Sequence, residues 1–185
     1  KSSNNFGEDI FMMPSFSKRV EIYPIARRIV IRINSPIGEP DEWSEEVSAI
    51  QTATENDIIH IYINSPGGSV VDGLAIYDIS KIIEAPIRTI CIGLAASMGA
   101  VLMLMGNERC ALKHSRLMFH EVSGGAVGKL SDLKIQFKLA EDLQKDIYAI
   151  IKDKTQLENI DIILEKDNWF TSEEALNYKI INKIL

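Results

Sequence analysis

Apolar positions along this chain follow two periods in turn. From Arg28 onward, short β-branched runs end in turn residues, and the stretches between them carry apolar residues at three- and four-residue steps. Ile29-Val30-Ile31-Arg32-Ile33 is the first run, ended by Asn34-Ser35-Pro36. A helix capped by Asp41 is expected next, running to about Thr54, with Glu42, Glu45 and Glu46 where the helix dipole favours acid. Ile58-Ile59-His60-Ile61-Tyr62-Ile63 reads as a second strand, and Val70 to Ile83 as a helix carrying Leu74, Ile76, Ile79, Ile82 and Ile83. Pro86 breaks the chain before a strand from Ile87 to Ile92, which gives way to a short helix at Ser97. Short strands are expected near Cys110-Ala111-Leu112 and Leu117-Met118-Phe119.

Ser123 to Gly128 is too glycine-rich for a helix. A long amphipathic helix follows, roughly Ser131 to Asp153, with Leu133, Phe137, Ala140, Leu143, Ile147, Ile150 and Ile151 on one stripe. Thr171-Ser172-Glu173-Glu174 is a capping box that opens a short helix, and Ile180-Ile181 with Ile184-Leu185 close the chain. Residues 1 to about 19 are polar without a period. The organisation expected is an N-terminal arm over 1–27 and a single α/β domain over 28–185, its long helix at about 129–154.

The chain also echoes itself. Ile31-Arg32-Ile33-Asn34-Ser35-Pro36-Ile37-Gly38 resembles Ile61-Tyr62-Ile63-Asn64-Ser65-Pro66-Gly67-Gly68, thirty residues on. Two strands ending in similar turns explain this, as does a repeated strand-turn-helix unit; either favours parallel strands with helical crossovers.

Composition narrows the function. The 185 residues are 46% hydrophobic and 25% charged, an ordinary globular balance. A net charge of −6, with Lys18-Arg19 and Arg27-Arg28 as the nearest basic cluster, argues against nucleic-acid binding. Cys91 and Cys110 sit in apolar contexts and read as buried free thiols of a reducing compartment, the cytoplasm, and no metal-type Cys/His spacing occurs. Thr89 to Asn107 carries no charge and meets the length criterion for a membrane span. Gly93, Ser97, Gly99 and Gly106 interrupt it, so a buried strand and a buried helix are expected instead.

Candidate chemistry lies at the strand ends. Ser97 stands among small neighbours in Gly93-Leu94-Ala95-Ala96-Ser97-Met98-Gly99-Ala100, which leaves its hydroxyl approachable. Ala95 occupies the first glycine's place of the Gly-x-Ser-x-Gly elbow, so that motif is absent. Of three histidines, His60 falls mid-strand and His114 among surface charges, whereas His120 ends an apolar strand before a glycine-rich run. Asp167 precedes Trp169-Phe170, expected to anchor its loop to the core. Gly67 and Gly68 can offer bare backbone N–H groups, and Gly124-Gly125 a strand edge for an extended peptide. Each has a plain structural reading too: small-residue packing for Ser97, a solvated loop charge for Asp167, ordinary turns for the glycines.

Together these pieces resemble the Clp protease proteolytic subunit (ClpP) family. The matching stretches are Tyr62 to Val70, Gly93 to Ala100, Met118-Phe119-His120 with Gly124-Gly125, and Asp167 to Thr171 with Glu174-Ala175 and Tyr178, in family order from about Arg28 to the C-terminus. The resemblance implies a crotonase-like fold of repeated β-β-α units with a protruding handle helix. It implies Ser97 as nucleophile, His120 as base, Asp167 as acid, Gly68 and Met98 as oxyanion donors, and Gly67, Ser69, Val70, Gly124 and Gly125 along the substrate. It further implies a homo-oligomer of two stacked heptameric rings enclosing the sites, fed with unfolded polypeptide by an ATP-driven AAA+ unfoldase. No Gly-x-x-x-x-Gly-Lys motif is present, so ATP would act only through that partner, with no cofactor or metal here.

The chain departs from the family at Glu121-Val122, usually Gln-Pro, at Glu165-Lys166, often Asp-Arg, and at Lys179, usually glycine. Its N-terminal region is closer to divergent or phage-encoded members. The readings to weigh are therefore an unfoldase-fed peptidase, a phage-type capsid or scaffold maturation protease without unfoldase, crotonase-like acyl-CoA chemistry, and a non-catalytic ring subunit. A complete Ser-His-Asp set counts against the last two.

Overall fold

The computed structural model describes residues 20–23, 28–38 and 43–185. The expected arm lies outside them apart from Val20–Tyr23, as does the expected helix cap, Asp41. In chain order the elements are β1 (Val20–Tyr23), β2 (Arg28–Ile33), α1 (Ser44–Gln51), β3 (Ile58–Ser65), α2 (Val70–Ile82), β4 (Ile87–Ala96) and α3 (Met98–Met103). Then come β5 (Glu108–Ala111), β6 (Arg116–Phe119), α4 (Leu130–Lys154), α5 (Ile160–Leu164), β7 (Asn168–Thr171), α6 (Ser172–Asn177) and β8 (Lys183–Ile184).

The described strands form one mixed sheet in the order β1-β2-β3-β4-β5-β8, with β6 branching from β4 and β7 from β6. Its centre is parallel, as helical crossovers require; β1 and β7 pair antiparallel. The thirty-residue echo becomes a register. Arg28 lies beside Ile58, Ile31 beside Ile61 and Ile33 beside Ile63. Beyond the strands Ser65 Oγ donates to Ser35 O at 2.7 Å, and Ile37 N–H donates to Gly67 O at 2.8 Å. Identical turns thus pack side by side and lock the register.

Isoleucines fill the sheet. Ile29, Ile31, Ile33, Ile59, Ile61, Ile63 and Ile87 are all buried, and each such side chain stabilises the fold by about 1.5–3 kcal/mol relative to exposure. α2 starts where Ser69 Oγ accepts from Asp72 N–H, as its N-cap. The uncharged run divides as expected, but not where expected. β4 continues through Gly93-Leu94-Ala95 to Ala96, four residues past Ile92, because a second partner meets it: Arg88–Cys91 pair with β5, while Leu94–Ala96 pair with β6. The irregularity between these halves is filled by Asn64, whose Oδ1 accepts from Leu94 N–H at 3.0 Å. A Cβ at Gly93 would meet that oxygen at 2.7 Å, so glycine admits the contact. All six residues of α3 are buried. Among the described residues no helix is long and apolar enough to cross a membrane.

Cys91 and Cys110 are buried free thiols. One expectation needs correction. Trp169 does not anchor the Asp167 loop; it is 52% exposed, and Phe170 packs inward instead, edge-on to Phe119 and Tyr178. The apolar stripe of α4 is only partly covered: Ile147 and Ile151 are buried, whereas Phe137, with Leu130, Ile135 and Leu139 beside it, is exposed. The C-terminal half of α4 packs on the body, and the N-terminal half carries unpartnered apolar surface.

Candidate active site

Strand register alone brings the candidate residues together. Ala96 lies beside Met118 in parallel β4 and β6, so the residues just past those strands, Ser97 and His120, meet at one sheet end. β7 runs antiparallel to β6 with Asn168 opposite Phe119, which sets Asp167 beside His120. Ser65 pairs with Ala95, so the Gly67-Gly68 turn after β3 arrives at Ser97 from the other side. These are the carboxyl ends of parallel strands, where α/β sheets bind their ligands.

His120 Nε2 lies 2.8 Å from Ser97 Oγ. His120 Nδ1 lies 3.5 Å from Asp167 Oδ1, outside good hydrogen-bond length. Asp167 is also open, its side chain 65% exposed against 23% for His120. The Ser–His pair is thus engaged, and the acid stands at ion-pair distance.

Ser97 occupies a backbone conformation foreign to strand and helix, φ 54° and ψ −126°. A non-glycine residue there costs of order 1–3 kcal/mol and needs fixing from both sides. Ser97 N–H donates to Met118 O at 2.9 Å, and Ser97 O accepts from Ala100 and Val101 N–H as α3 begins. Hence a nucleophile-type elbow forms without the Gly-x-Ser-x-Gly letters. Its glycine comes from another segment. Gly67, at φ 95°, lies so close that a Cβ on it would fall 2.6 Å from Ser97 Cβ and from Ala96 O.

Gly68 and Met98, the two expected oxyanion donors, both line the cleft beside Ser97. Gly68 forms a parallel bridge with Ile37, through Gly67 O and Ser69 N–H. In such a bridge the middle residue's own N–H faces away from the partner strand. Met98 is the first residue of α3, and its N–H has no intrahelical partner.

A narrow cleft of about 40 Å³ lies beside the Ser97–His120 pair, walled by Val70, Met98, Val101, Phe119 and Ile147, with Gly68 and Glu121 to Ser123 at its rim. Val101, Phe119 and Ile147 carry no sequence signal for the cleft; Ile147 belongs to the apolar stripe of α4. The remaining expected substrate residues flank this cleft in the chain. Ser69 is the α2 cap, and Gly124 and Gly125 lie in exposed irregular chain outside the cleft wall. The helix α5, unforeseen in the sequence, ties the His120 and Asp167 segments together. Leu164 O accepts from Glu121 N–H at 2.7 Å, and Ile163 O accepts from the Asn168 amide beside Asp167. Among the described residues no group of three or more His, Cys, Asp or Glu side chains is placed to hold a metal.

The Clp protease family model matches residues 20–185. The chain belongs to the Clp protease family. A Bacteroides thetaiotaomicron protein named ATP-dependent Clp protease proteolytic subunit is 46% identical over 131 residues, 69% of this chain and 60% of that protein. Subunit 1 of the same name from Salinibacter ruber is 41% identical over 162 residues, 84% of this chain and 70% of that protein. The Borreliella afzelii protein of that name is 36% identical over 178 residues, 92% of this chain and 90% of that protein. The match thus spans less than two thirds of the Bacteroides relative and nearly all of the Borreliella one.

Family membership also accounts for the mixed, mostly parallel α/β sheet. It gives context to Lys179, where the family usually carries glycine: φ is 57°, a left-handed conformation that glycine adopts freely and lysine does not.

Proposed function

We propose that this chain is a serine-type endopeptidase that cleaves unfolded polypeptide, with Ser97 as nucleophile, His120 as general base and Asp167 as the acid that orients the imidazole. The observation that carries the reading is the 2.8 Å contact between Ser97 Oγ and His120 Nε2, with Asp167 on the opposite ring nitrogen. As Oγ attacks the scissile carbonyl carbon, its proton passes to Nε2. His120 Nδ1–H donates toward Asp167, which stabilises the imidazolium. The tetrahedral oxyanion accepts from Gly68 and Met98 N–H; one such donor is typically worth ~3–4 kcal/mol in the transition state. His120 then protonates the leaving amine, and water, activated by the same base, frees Ser97 from the acyl-enzyme. The apolar cleft wall suits an apolar side chain beside the scissile bond, and the Gly124-Gly125 stretch suits an extended substrate backbone.

The assembly assigned to the chain is a homo-oligomer of stacked heptameric rings in the cytoplasm, with no cofactor of its own. Exposed Leu130, Ile135, Phe137 and Leu139 on α4 support contact with another copy. The relatives' names say ATP-dependent, which supports an AAA+ unfoldase as the partner where ATP acts. Ser97→Ala tests the reading. It is expected to abolish peptide hydrolysis and fluorophosphonate labelling while native mass stays unchanged. Labelling that persists on another residue overturns the assignment.

A further inference from the structure

The two residues after His120 are held by different helices. Glu121 N–H donates to Leu164 O at the end of α5, and Val122 N–H donates to Gln144 Oε1 on α4 at 2.6 Å. The second bond depends on a departure noted in the sequence: where the family usually has proline, Val122 has an N–H to give. We propose that Gln144 is a positioning residue for the catalytic base, holding the Glu121-Val122 segment so that His120 Nε2 stays on Ser97 Oγ. The proposal rests on the peptidase reading above.

Three observations carry it. Val122 is two residues from His120, joined to it by planar peptide units, so fixing its N–H limits the backbone directions open to His120. Gln144, Ile147 and Ile151 fall at helical spacing on one face of α4, and Ile147 walls the cleft while Ile151 is buried. The same face of α4 therefore shapes the cleft and holds the segment that carries the base. Finally, Val122 is partly buried against the core, where an N–H without a partner is costly, so the bond resists exchange with water. A shift of α4 by one turn toward its C-terminus would bring Ala140 to this place, which offers no side-chain acceptor.

The test combines Gln144→Leu, Gln144→Glu and Val122→Pro. Gln144→Leu is expected to lower kcat on a short peptide, and the rate of Ser97 phosphonylation, by about fivefold to tenfold with KM within twofold, and to expose the Val122 amide to hydrogen exchange. Gln144→Glu keeps an acceptor and should retain most of the rate. With Val122→Pro there is no N–H to hold, so adding Gln144→Leu should cost nothing further. If Leu impairs assembly, Gln144→Met, an unbranched helix former, takes its place. Equal losses in both backgrounds, a loss confined to KM, or an unchanged rate alongside an exposed Val122 amide would overturn the proposal. A wild-type protein that neither cleaves peptide nor takes the fluorophosphonate overturns the peptidase reading itself, and the positioning role falls with it.

Discussion

Gly67→Ala places one methyl group where the Ser97 turn has no room. Gly67 sits at φ 95°, which an alanine adopts at a cost of roughly 1–2 kcal/mol. The new Cβ would also lie 2.6 Å from Ser97 Cβ, 2.6 Å from Ala96 O and 2.9 Å from Met98 N. Ordinary contact is ~3.5 Å, so the shortest of these is about 0.9 Å short. None of the three atoms is the end of a flexible side chain. Relief must come from moving the turn or the β4–α3 junction that carries Ser97. A displacement near 1 Å at reacting groups costs about a hundredfold in rate. The expectation is therefore a kcat on a short peptide about a hundredfold below wild type, with a melting temperature lower by several degrees. Steady-state kinetics at saturating substrate and a thermal melt at matched protein concentration check both. A kcat within threefold of wild type would refute the claim that this glycine sets the position of Ser97.

Other consequences follow from particular residues. Lys179→Gly relieves a left-handed lysine and, after glycine's extra unfolded-state entropy, should stabilise by about 1 kcal/mol, raising the melting temperature by ~2–4 °C; no rise contradicts the strain argument. Burial pushes the Tyr77 phenol up to about 12 and the Cys110 thiol up to about 11, with the Asp153 and Glu108 carboxylates respectively adding to the rise. Both raised values favour the neutral form in the fold. Their contribution is whole below the ordinary values of 10.0 and 9.0 and is lost as pH climbs toward 12 and 11. Thermal melts should thus be flat between about pH 7 and 8 and fall from about pH 9 upward, less steeply in Tyr77→Phe; a flat profile to pH 11 would refute this.

Much of this arrangement was legible in the chain because parallel strands that end together leave similar letters. The thirty-residue echo anticipated parallel strands, and the fold sets the two echoing stretches side by side as β2 and β3. The long helix showed through its period, and the α6 capping box through its residue types, with Thr171 Oγ1 accepting from Glu174 N–H and Glu174 answering on Thr171 N–H. What stayed hidden depends on partners distant in sequence. Gly93 to Ala96 contains no β-branched residue, and only pairing with β6 makes it strand. α5 is five residues long, too short for a period to declare itself, yet its carbonyls tie the His120 and Asp167 segments together. Trp169 looked like a core anchor by size, but in β7 successive side chains face opposite ways, and Phe170 took the inward position. For the candidate site, the serine and histidine could be picked out by neighbours and elimination, and the resemblance linked them to Asp167. The apolar wall, the elbow strain and the Gln144 contact exist only once β4, β6 and α4 have packed.

The central claim is that Ser97 is an activated nucleophile because His120 stands on its hydroxyl. Intact and peptide-level mass spectrometry after fluorophosphonate treatment of the native assembly tests it most directly. The account predicts a single adduct on the peptide containing Ser97, absent in Ser97→Ala and formed at least a hundredfold more slowly in His120→Ala. An unmodified wild-type assembly, or labelling at Ser97 that proceeds equally fast without His120, would contradict it.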